Sequence, residues 1–125
     1  MRYLKVLLLL LIIASCSGPP AEHFEVTGMA LAGPVCPVET EPPDPDCAPR
    51  PVVGATIEAI DSTGSTAGTA VTGVNGRFVL SLLPSGEYTI VALPVDGLMG
   101  TPDPVEITVT GPIDVGVLAY DTGIR

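Results

Sequence analysis

The chain has 125 residues, 46% of them hydrophobic, with 14 acidic residues against five lysines and arginines. That length holds one domain, and a net charge of −9 with scattered cations excludes a nucleic-acid partner, because phosphate binding needs clustered positive charge. The apolar share excludes a chain that is disordered throughout.

Arg2 and Lys5 precede an unbroken apolar run, Val6 to Ile13. It is too short to cross a hydrocarbon layer of roughly 30 Å but suits the central region of a secretory signal. No later stretch is apolar and long enough to span a membrane. Ile13-Ala14-Ser15-Cys16 resembles the lipobox of bacterial lipoproteins, with Ile13 where that family prefers Leu. The resemblance implies a signal peptide over residues 1–15, a diacylglyceryl group on the Cys16 thiol and further acylation, as by palmitate, of the new N-terminus. It also implies attachment to the cell membrane or the outer membrane on the exported side. An ordinary secretory signal would leave Cys16 as a stray thiol; Cys36 and Cys47 can pair with each other, which leaves Cys16 over for the lipid. Cleavage leaves three arginines against 14 acids, a net charge of −11. An anionic membrane surface repels such a domain, so attachment comes from the lipid.

Residues 16–23, with Gly18-Pro19-Pro20, read as a lipidated tether, and the domain is expected over residues 24–125. Phe24, Val26, Gly28 and Ala30 alternate with polar or exposed positions and give a first strand. Gly33 to Pro51 holds seven prolines in 19 residues, four acids, Cys36 and Cys47. Proline at that density cannot sit inside a sheet, so this is a long loop. An exported protein meets oxidising conditions, and a Cys36–Cys47 disulfide is expected to tie the loop down, contributing roughly 3 kcal/mol in the chain-entropy model.

Val53, Ala55, Ile57 and Ala59 are expected on the inward face of a second strand, ended by Asp61-Ser62-Thr63-Gly64. A weak third strand covers residues 66–72. Asn75-Gly76 supplies the left-handed backbone of a tight hairpin, and Pro84-Ser85-Gly86 a second reversal. Between and after them Phe78, Leu80 and Leu82, then Tyr88, Ile90 and Ala92, fall on alternate positions of strands four and five. After a second long loop, Val105, Ile107 and Val109 form strand six; Gly111-Pro112 turns into a last strand carrying Ile113, Val115 and Val117. Seven short strands without helical periodicity indicate an all-β sandwich.

Pro51 to Ile57, Gly76-Arg77-Phe78 and Leu83-Pro84-Ser85-Gly86-Glu87-Tyr88-Thr89-Ile90 resemble the carboxypeptidase regulatory-like domain, a transthyretin-like, seven-stranded, Ig-like sandwich. The resemblance covers about residues 24–120. It departs in the long first connection and in Ala30, where the family usually has valine. It implies no peptidase activity, since in the parent enzymes this module accompanies the catalytic domain and performs no chemistry.

The residues themselves offer little to an enzyme. His23 is the single histidine and lies on the expected tether, so neither a Ser-His-Asp nor a Cys-His arrangement has a rigid base. Two thiolates without histidine partners do not close a zinc site, and no cofactor or metal is expected. Glu39, Glu41, Asp44 and Asp46 are hard oxygen ligands in one loop, but Pro42, Pro43 and Pro45 stiffen it and no calcium-loop glycine falls at the required offset. Tyr88 reads as a tyrosine corner. With no tryptophan and few aromatic residues, the chain lacks the stacking platforms of sugar-binding sandwiches.

The function indicated is a non-catalytic, lipid-anchored envelope module, structural or protein-binding, against a ligand-binding module for cell-wall glycan or a cation such as calcium. Alternating strand direction sends the connections at 33–51, 73–76 and 94–104 to the end away from the tether. An envelope protein partner is expected there, with Leu98 and Met99 as the apolar centre of its docking site.

Overall fold

The computed structural model describes residues 22–38 and 40–124. The expected signal peptide, the lipobox and Cys16 lie outside the described residues, as do Glu39 and the side chain of Leu82. The expected sandwich is observed. One sheet contains β1 (His23–Gly33), β2 (Arg50–Pro51), β5 (Arg77–Pro84) and β8 (Ile113–Asp121). The other contains β3 (Thr56–Asp61), β4 (Thr66–Val71), β6 (Gly86–Ala92) and β7 (Val105–Val109), in the antiparallel order β4-β3-β6-β7. β1 is the centre of its sheet. β8 runs parallel to it along one edge, while β5 and then the two-residue β2 pair antiparallel along the other. β2 is the strand the sequence did not announce.

Alternation fixes which residues face the core. Val26 and Ala30 of β1, Ile57 and Ala59 of β3, Phe78 and Leu80 of β5, and Ile90 of β6 are almost wholly buried. Each of the larger ones gains about 1.5–3 kcal/mol from leaving water. Leu83, Val109, Leu118 and Tyr120 complete the same cluster.

Four expectations need correction, all for reasons of local geometry. His23 is not on a tether; it opens β1, opposite Pro84. Gly73–Gly76 is a tight turn, closed by Gly76 N–H donating to Gly73 O at 2.9 Å, but not a hairpin: β4 and β5 on either side belong to different sheets. Gly76 does adopt the left-handed conformation, with φ of 76°, and any Cβ there would collide with the carbonyl oxygen of Ala30. The inward face of the second strand does not extend back to Val53, which is 59% exposed; Val52 is buried instead, because the backbone breaks between β2 and β3.

The fourth correction comes from two bulges. In β5, Ser81 and Leu82 together oppose the single Glu25, so the strand regains its partner at Leu83, which is fully buried. In β8, Val115 and Gly116 oppose Gly28. Gly116 has φ of 80°, and its N–H donates to Asp114 Oδ1 at 2.8 Å. That extra residue turns Val117 outward, where it is 57% exposed, and delivers Leu118 and Tyr120 to the core.

Among the described residues no buried side-chain oxygen or nitrogen lacks a hydrogen-bond partner. Thr72 shows how the break between β2 and β3 is satisfied. Its buried hydroxyl donates to Val52 O at 2.5 Å and accepts from Ala55 N–H at 2.9 Å. One side chain thus serves backbone groups that no strand partner reaches.

Candidate functional site

β1 and β8 are parallel, so both finish at the same end of the sandwich, and the long connections gather there. The 33–51 loop leaves β1 at this end and returns through β2 opposite Leu31 and Ala32. Its cysteines are joined as expected, Cys36 to Cys47, with Cα atoms 5.3 Å apart. Thr122 fastens the start of the loop: its N–H donates to Gly33 O at 3.2 Å and its hydroxyl to Pro34 O at 2.5 Å. Val52 N–H, donating to Ala30 O at 2.9 Å, fastens the return.

The 93–104 loop is tied to the same tail. Met99 N–H donates to Asp121 O at 2.8 Å, Gly100 and Asp121 form an antiparallel bridge, and the buried Tyr120 hydroxyl donates to Leu93 O at 2.7 Å. The 73–76 turn joins through Ala30 N–H, which donates to Gly76 O at 2.7 Å. Three connections and the tail therefore form one braced surface on a rigid scaffold, the usual place for binding residues.

The expected apolar pair divides on this surface. Leu98 is half-buried and packs against the core, closing its end. Met99 is 77% exposed, its side chain lying over Gly123. Val38, Val53, Val71 and Val74 are also exposed at this end, which the sequence reading missed. A signal was present for Val74: a β-branched residue inside Gly73-Val74-Asn75-Gly76 has no inward position to occupy.

The chemistry-bearing residues are dispersed. His23 stands at the start of β1, at the opposite end, and Cys36 and Cys47 are consumed by their bond. Asp44 Oδ1 accepts from Asp46 N–H at 2.9 Å and caps the short turn Pro45–Cys47. Among the described residues no three of His, Cys, Asp and Glu stand together as a metal site. Tyr88 is the expected corner; its hydroxyl donates to Pro84 O at 2.6 Å.

At that opposite end Asp61 accepts from the Thr63 hydroxyl and from the N–H groups of Thr63 and Ser65. The Thr63 hydroxyl foremost, then the Ser65 N–H, holds its carboxyl below the usual carboxylate range. An open groove of about 430 Å³ beside it is lined by Asp61, Glu87, Tyr88 and Glu106 among others. The groove is acidic.

Residues 46–116, more than half of the chain, match the carboxypeptidase regulatory-like domain. No curated protein matches it. Among solved structures, the minor pilin GBS52 of Streptococcus agalactiae is similar with a TM-score of 0.60 at 13% identity, over 81% of this chain and 45% of that one. The pilus 2b backbone protein of group B streptococcus gives a TM-score of 0.58 at 12% identity, over 87% and 47%. A DUF3823 family protein from Parabacteroides merdae gives 0.53 at 12% identity, over 80% and 46%. This chain spans less than half the length of each, and at such identities the likeness is one of fold. With two four-stranded sheets and the motif-bearing strands β3 to β7 inside the matched residues, the chain belongs to the carboxypeptidase regulatory-like domain family.

Proposed function

We propose that the protein is a non-catalytic, lipid-anchored domain of the bacterial cell envelope that acts as a structural or protein-interaction module. The observation that carries this reading is the braced end of the sandwich, where the disulfide loop, the 93–104 loop and the tail are joined to one another and expose Met99 and Val74. Family membership and the likeness to pilin folds accord with such a role, as does the dispersal of the chemistry-bearing side chains.

Anchoring rests on Ile13-Ala14-Ser15-Cys16. Acylated Cys16 holds the protein on the membrane, and residues 17–22, reaching at most about 22 Å, keep the sandwich close to it. Because β1 begins beside the tether, the braced end faces away from the lipid. Two acyl chains hold stably where one does not. Cys16→Ser is therefore expected to move the protein from the membrane pellet to the soluble fraction, with the sandwich still folded and the Cys36–Cys47 bond intact. A cleaved Cys16→Ser protein that still pelleted with membranes would overturn the anchor.

A further inference from the structure

The outward faces of the two sheets differ in kind. On β3, β6 and β7 the outward residues include Glu58, Glu87, Glu106 and threonines; Ile60 and Val91 also point outward, but each shares its row with a carboxylate, Ile60 with Glu106 and Val91 with Glu58. On the β1 sheet the outward positions opposite one another are Arg77, Met29 and Val117 in one row and Pro51, Leu31 and Ala119 in the next. Val79 adjoins them, opposite Thr27. Val79 is 47% exposed and Val117 57%, and Met29 and Leu31 are half-buried. The acids of this face, Glu25 and Asp114 below and Asp121 above, flank these two rows and do not enter them. The β8 bulge contributes directly, because it is the extra residue at Gly116 that brings Val117 to this side.

We infer that this apolar face is where a second copy of the same chain docks. Net charge decides between the faces: two copies this acidic repel, and the rows around Met29 are the part of either sheet's outer surface where apolar residues are joined by a cation instead of a carboxylate. The layout is also self-complementary. A two-fold axis along the strands lays β5 of each copy over β8 of the other, which brings Arg77 over the partner's Val117, one row from the partner's Asp114 and on the side of the sheet that carries Asp121. An axis across the strands would set Arg77 against the partner's β5 instead. Three strands about 4.8 Å apart, of 8, 9 and 11 residues, present roughly 400 Å² of sheet. That is below the ~800 Å² per partner of a standard stable interface, so the association is weak, reversible and dependent on local concentration. This inference needs neither the lipid anchor nor the braced end.

The test is cross-linking of the full chain in cells that produce it. Met29→Cys places a thiol beside the axis, and a short bismaleimide spans the roughly 10 Å between packed sheets. Glu58→Cys, on the outward face of the other sheet, is the control, and the unaltered chain sets the background. The expected result is an adduct of twice the chain mass from Met29→Cys and at least tenfold less from Glu58→Cys. Adding Arg77→Asp lowers the yield, and adding Val117→Arg to that variant restores it, because position 117 of each copy lies over position 77 of the other, a rescue that a folding defect would not give. Four results overturn the inference: no dimer from a Met29→Cys chain whose Cys36–Cys47 bond has formed, equal yields from the two cysteines, no recovery with Val117→Arg, or an adduct of another mass, which would assign the face to a different protein.

Discussion

Replacing Thr72 by valine isolates the contribution of one hydroxyl. The two side chains have the same shape, so no cavity opens, and position 72 is only 3% exposed, so water does not substitute for what is lost. The Val52 carbonyl loses a donor at 2.5 Å and the Ala55 N–H loses an acceptor at 2.9 Å, both within the fold. An orphaned buried backbone group costs about 1–3 kcal/mol, so the pair costs about 2–6 kcal/mol. In a domain of this size each kcal/mol moves Tm by roughly 4–8 °C, which places the loss at about 10–50 °C. Thr72→Ser keeps the hydroxyl and deletes one methyl, for about 1 kcal/mol. Melting followed by circular dichroism should rank the proteins wild type, Thr72→Ser, Thr72→Val. The reasoning fails if Thr72→Val melts within about 2 °C of wild type, or if serine is as damaging as valine.

Two further outcomes follow from the braced end. Burial raises the Tyr120 hydroxyl above the ordinary tyrosine value of 10, so its contribution to stability is complete below about pH 10 and is lost as pH climbs through the higher folded value. Melting temperature against pH should fall on the alkaline side in the wild type and fall less in Tyr120→Phe; equal slopes would remove Tyr120 from the account. Reducing Cys36–Cys47 should speed amide exchange across residues 34–49 and leave β5 and β6 protected, because both strands lie outside the closed ring. Cooperative unfolding of the whole domain on reduction would show that the bond supports the core.

The strands were legible because a half-buried strand must alternate, and the alternation of Ile57 and Ala59 or of Tyr88, Ile90 and Ala92 survives intact in the structure. Period two carries facing information only as far as the next bulge. Nothing in Ser81-Leu82-Leu83 says that Leu83 is inward, and the extra residue at Gly116 reverses every assignment after it. Turn chemistry has a similar reach: Asn75-Gly76 specifies a left-handed glycine and a reversal, but not whether the next strand joins the same sheet or crosses to the other. At the braced end, chain order alone placed the loops together. The separation of Leu98 from Met99 was not legible, because it depends on the Gly100–Asp121 bridge between segments far apart in sequence.

The parallel pairing of β1 with β8 determines how the domain bears load. Residue 23 sits at one end of the sandwich and residue 121 at the other, on neighbouring strands. A pull that separates these two ends slides β1 and β8 past each other, so the hydrogen bonds between them are strained together and must fail together. In an antiparallel pair grasped at one end, the same bonds would open one after another. A domain held at residue 23 and gripped at its far end is thus loaded along its most resistant direction, while a sideways pull on β2, which pairs at two residues only, would peel the disulfide loop away first.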